Sequence, residues 1–125
     1  MFSRRSFVAV LAAPAFVRLQ DPHPDPRPGV DARDVMTAEQ LNGYGADVRE
    51  VFEMVRQIPQ IADGLRCYCG CAGREGMRSL LTCFYRGGMA THCEICQAEA
   101  RLAYRRHREG QTLAQIRRAV EARWG

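Results

Sequence analysis

The chain has 125 residues, within the roughly 100 to 200 residues of a single domain, so a two-domain enzyme architecture is not expected. Apolar residues at 46% and charged residues at 26% suit a folded body. All eighteen basic residues are Arg, and against fourteen acids they leave a net charge of +4. The acids are interleaved, at Asp47, Glu50, Glu53, Glu75, Glu94, Glu99, Glu109 and Glu121 among others, whereas duplex binders gather their cations on one face. Nucleic acid is therefore not expected as a partner.

Residues 1–20 have the layout of an export signal: a charged head at Arg4-Arg5, an apolar run through Val17 broken by Pro14, and the small triplet Ala13-Pro14-Ala15. The paired arginines with Phe7 two places on resemble the twin-arginine signal. That resemblance implies export of an already folded protein to the periplasm or cell envelope of a bacterium. The apolar stretch of about ten residues falls short of the roughly twenty that span a bilayer. No cysteine precedes Cys67, so neither a membrane span nor a lipid anchor on an N-terminal cysteine is expected.

Residues 21–36 carry Pro22, Pro24, Pro26 and Pro28 at every second position. Each proline removes a backbone donor and disfavours helix at the residue before it, which predicts an extended linker with a solvated His23. The folded domain is expected over 37–125. Thr37 with Gln40 fits a capping box, and Leu41, Tyr44, Val48, Val51, Phe52 and Val55 recur at threes and fours, predicting a first helix that ends before Pro59. Gly43 and Gly45 weaken its start.

Met77, Leu80, Leu81 and Phe84 predict a short second helix ending before Gly87-Gly88. Thr91 with Glu94 makes another capping box, opening a helix through Ile95, Leu102 and Tyr104 to a stop at Gly110. Thr112 with Gln115 makes a third, and Leu113, Ile116, Val120 and Trp124 form the apolar face of a last helix. No useful alternation marks a strand. The expectation is an all-α fold, a small bundle of about four helices with a Cys-rich loop.

The cysteines exceed what packing requires. Cys67, Cys69 and Cys71 alternate around Tyr68 and Gly70, Cys83 follows, and Cys93 and Cys96 form a C-x-x-C preceded by His92. A turned loop can bring the first three sulfurs to one side, Gly70 permitting a positive φ. Next-but-one cysteines are hard to bridge without strain. Convergent thiolates suit soft ions such as copper(I) or zinc, which need two to four sulfur donors. With Thr91 as the cap, Cys93 and Cys96 lie in the first helical turns, where the dipole favours thiolate for metal binding and thiol exchange alike. Three structural disulfides in an exported domain remain a competing use of six cysteines.

At Cys67-Tyr68-Cys69-Gly70-Cys71 the sequence resembles the family of exported bacterial proteins named for a P-C-Y-C-G-C motif. The likeness continues through Leu80, Leu81, Cys83 and Phe84, through His92-Cys93-Glu94-Ile95-Cys96, and into Gly110, Ile116 and Arg117. It covers about residues 58 to 125 and implies an extracytoplasmic, mostly helical domain. Arg66 departs from the motif's proline. Met77, where similar sequences carry His, reads as core.

The metal candidates are thus Cys67, Cys69, Cys71, Cys83, Cys93 and Cys96, with His92 as ligand or as a residue of the first helical turn. Only His23, His92 and His107 are present, and none is paired with a Ser or carboxylate at a diagnostic spacing, so catalysis is not expected. The expected function is binding of copper or zinc for storage, delivery or sensing, with the ion and another exported protein as partners. A disulfide-stabilised interaction domain or a thiol redox module is the alternative.

Overall fold

The computed structural model describes residues 21–70 and 76–125. The export signal at 1–20 and Cys71 lie outside the described residues. Five helices follow one another among them: α1 (Ala46–Gln57), α2 (Pro59–Asp63), α3 (Leu80–Cys83), α4 (Glu94–Arg108) and α5 (Leu113–Trp124). The described chain is helical, with two isolated bridges and no sheet. None of these helices is long and apolar enough to cross a membrane.

The helix boundaries follow local chemistry. The reciprocal hydrogen bonds between Thr37 and Gln40 form as the capping-box pattern predicts. The segment after them nevertheless turns rather than continuing as helix: Gly43 takes a φ of +105°, and α1 starts only after Gly45. Pro59 ends the pattern at α1 and then opens α2, where its missing N–H is harmless at the first position. Cys93, not Thr91, caps α4. Thr112 caps α5 through a complete capping box with Gln115.

The core sits where α1, α2, α3 and α4 meet, with Val51, Phe52, Val55, Leu80, Leu81, Phe84, Ala100 and Ala103 buried. Phe52 and Phe84 pack edge to face with ring centroids 4.7 Å apart. Ile116 and Val120 anchor α5. Met77 packs against this core, as read from the sequence. Ile95, within the predicted helix, is 38% exposed, because Cys96, Glu99, Ala100 and Ala103 take the inward face of α4.

The Pro-rich segment is not a solvated spacer. His23 is buried, its Nδ1 accepting the backbone N–H of Arg66 at 3.0 Å. Arginines from the helical body reach the carbonyls that the prolines leave free: Arg117 donates to Pro24 at 2.7 Å and Arg78 to Asp25 at 2.7 Å. Arg27, from the segment itself, donates its backbone N–H and its side chain to the buried carboxylate of Asp63, at 2.8 and 3.0 Å. Arg78 at 2.7 Å and the hydroxyl of Ser79 at 2.8 Å complete that clamp. Burial opposes the charge on Asp63, but these donors prevail and hold its carboxyl below the usual range.

Candidate metal centre

Three stretches of chain bring sulfur to one place. The first is the loop after α2. Leu80 N–H donates to Leu65 O at 2.8 Å, tying the loop to the start of α3, and Arg66 N–H is held by His23. A proline at 66 could not donate that bond. Tyr68 N–H is held by Glu99 Oε1 at 3.0 Å. Cys67 is thereby fixed with its side chain inward, and Gly70 takes the positive φ of 91° expected of it. The Tyr68 hydroxyl reaches Glu121, whose other neighbour is His23 Nε2 at 3.2 Å.

The second stretch is α3, whose last residue is Cys83. Its carbonyl accepts the N–H of Ala90 at 3.0 Å. The return of the chain is close enough that a Cβ on Gly88 would lie 2.3 Å from Cys83 O, so only glycine fits. The third stretch is the first turns of α4. Cys93 stands at the cap with its Sγ accepting Cys96 N–H at 3.5 Å, and Cys96 projects into the core.

The sulfurs of Cys67, Cys69, Cys83 and Cys96 all lie within 4.8 Å of one another. Cys67 Sγ is 3.3 Å from Cys69 Sγ and 3.2 Å from Cys96 Sγ. A tetrahedral thiolate site with metal–sulfur bonds of about 2.3 Å has sulfur–sulfur edges of about 3.8 Å, so once Cys69 is reduced small adjustments would close this set around an ion. Cys67, Cys83 and Cys96 are 3%, 1% and 0% exposed. Cys69 is half-buried and disulfide-bonded.

Of the predicted ligands, then, Cys67, Cys69, Cys83 and Cys96 come together. Cys93 stands beside them, half-buried, and Cys71 lies outside the described residues. His92 is exposed, its ring packed edge-on against Tyr44 at 5.8 Å. Cys67, Cys83, Cys93 and Cys96 are free thiols, so the chain does not use its six cysteines as three disulfides.

The sulfurs share protons unevenly. The neighbouring thiols of Cys67 and Cys96 lower the pKa of Cys83 to about 4 against the effect of burial. The proximity of Cys83, with burial, pushes Cys67 up to about 12. Cys96 is raised by the proximity of Cys67 and Cys83 and by burial. Burial and the neighbouring sulfurs thus outweigh the helix dipole at Cys96, and Cys83 is the thiol shifted toward ionisation.

Glu99 was not a candidate from the sequence. It follows Cys96 by three residues, which places both on one face of α4, and it is fully buried. Oε1 holds Tyr68 N–H, while Oε2 has no hydrogen-bond partner. Burial, reinforced by Cys67, raises its pKa to about 9, against the smaller influence of Arg66. The signal that could have found it is this spacing on a face otherwise lined by Cys96, Ala100 and Ala103.

Compared with known proteins, the chain matches no family model, no curated protein and no solved structure.

Proposed function

We propose that this protein is an exported binder of a soft metal ion, copper(I) or zinc, held by Cys67, Cys83 and Cys96 with Cys69 as the fourth sulfur. The observation that carries the reading is the convergence of four sulfurs within 4.8 Å in a largely buried pocket. Soft donors with little access to water suit a tightly held soft ion. The unpartnered Oε2 of Glu99 beside them supports it, since an orphaned buried polar atom marks a pocket that packing alone leaves incomplete.

Binding rather than catalysis is the role, for storage, delivery or sensing. Export rests on Arg4-Arg5 and the apolar run behind them. Kinship with the P-C-Y-C-G-C proteins rests on residues 67–71. The test is anaerobic reconstitution of the reduced full chain with copper(I) and, separately, zinc, followed by native mass spectrometry and elemental analysis. One ion per chain is expected, and none with Cys96→Ser. A wild-type chain that retains neither metal ends the proposal.

A further inference from the structure

Resting on the soft-metal reading, we infer that Cys93 is the receiving thiol: it takes the ion from a donor that holds it by accessible thiolates, and passes it inward to Cys96 and its neighbours. The deep sulfurs cannot meet a donor directly. Cys67, Cys83 and Cys96 are 3%, 1% and 0% exposed, so an ion still bound elsewhere could not touch them. Cys69 is half-buried, but it is disulfide-bonded here and, once reduced, is one of the four clustered sulfurs that hold the ion at rest rather than a ligand outside them.

Cys93 is a free thiol, half-buried, one helical turn before Cys96. Its sulfur already accepts the Cys96 N–H at 3.5 Å. Yet it does not belong to the four sulfurs that lie within 4.8 Å of one another. Close to the cluster, outside it and partly open to solvent, it occupies the position of a transient ligand rather than a permanent one. Glu99 Oε2, buried and without a hydrogen-bond partner on the face of α4 that carries Cys96, leaves the interior polar and incomplete on the Cys96 side.

The ion changes ligands without changing oxidation state. A bond from Cys93 sulfur to the metal forms as the bond to the donor sulfur breaks, and the donor leaves as thiolate. Cys96 sulfur then bonds the metal as the Cys93 bond breaks. Each protein thiol that binds gives its proton to water, and Cys93 recovers one when the ion moves on.

The experiment presents copper(I) as its glutathione complex to the reduced full chain under anaerobic conditions and follows loading by stopped flow. Cys93→Ser is the informative variant, because serine is a favoured helix cap whose oxygen can take the same N–H. Unchanged circular dichroism confirms that α4 persists. The expected result is unchanged copper per chain at equilibrium with loading at least tenfold slower. Loading at the wild-type rate overturns the proposal. So does a lower final copper content, which would make Cys93 a permanent ligand. A wild-type chain that takes up no copper removes the soft-metal reading itself, a distinguishable failure.

Discussion

Among the described residues two carboxyl groups are fully buried, Asp63 and Glu99, and they have opposite fates. Asp63 is surrounded by Arg27, Arg78 and Ser79, remains ionised, and ties the N-terminal segment to α2 and α3. Glu99 receives one backbone N–H, leaves an oxygen unpaired beside the thiols, and is neutral at pH 7 with a pKa of about 9. Neither is exposed to solvent, but Glu99 is the more deeply enclosed and has the fewer donors. The difference separates a region whose buried charge is fully compensated from one whose buried polar group is not.

The largest effect expected on this contrast is in the sulfur pocket. Cys96→Ser should lower metal affinity at least a hundredfold, measured by competition with a chelator, because a hydroxyl is a poor soft-metal donor. It should change the melting temperature little. Asp63→Ala should do the reverse, costing about 2–3 kcal/mol in denaturant unfolding while the reduced protein still binds its ion. The estimate is held down because Arg27 and Arg78, at 43% and 34% side-chain exposure, regain water when their partner is lost. If the two variants behaved alike, the contrast would collapse.

Proton counting sharpens it further. Burial and neighbouring sulfurs push Cys67 and Cys96 up, and thiols bind metal as thiolates, so metal binding at pH 7 should release protons, read by calorimetry in buffers of different ionisation enthalpy. Uptake should weaken as pH falls. The smallest effect is pH-dependent stability. The folded pKa of Glu99 lies above its unfolded value, so its contribution is complete below about pH 4.3 and is lost as pH rises through about 9. Glu99→Gln should flatten that alkaline decline. Asp63 has a lowered folded pKa, so its contribution is complete above about pH 3.9 and is lost as pH falls through the folded value. Unfolding midpoints across pH for both variants check the pair.

What the sequence made legible was the local chemistry. The apolar stripes placed α1, α4 and α5, the Thr112–Gln115 pair placed the start of α5, and cysteine spacing marked the stretches that converge. What it hid depended on distant partners. His23 looked solvated because the residue that holds it, Arg66, lies 43 positions away. Cys93 displaced Thr91 as the cap because a thiol can accept the Cys96 N–H, a choice no pattern reveals. Glu99 read as one surface acid among many, since only its neighbours on the inward face of α4 show that it is buried. The short α2 was hidden by Pro59, which can end one helix or begin another.

The docking of the Pro-rich segment has a consequence for how this molecule can be handled. Its fastening consists of guanidinium groups reading main-chain oxygens: Arg117 on Gly64 and Pro24, Arg78 on Asp25, and Arg56 on Val35 and Met36. Lysine, a single point charge, would not span two such acceptors at once. The chain contains no lysine at all, so amine-directed labels find no side chain to modify and leave these fastenings intact. Dicarbonyl reagents that cap guanidines would instead strike the fastenings themselves, peeling away the N-terminal segment and, with it, the grip of His23 on the sulfur-bearing loop.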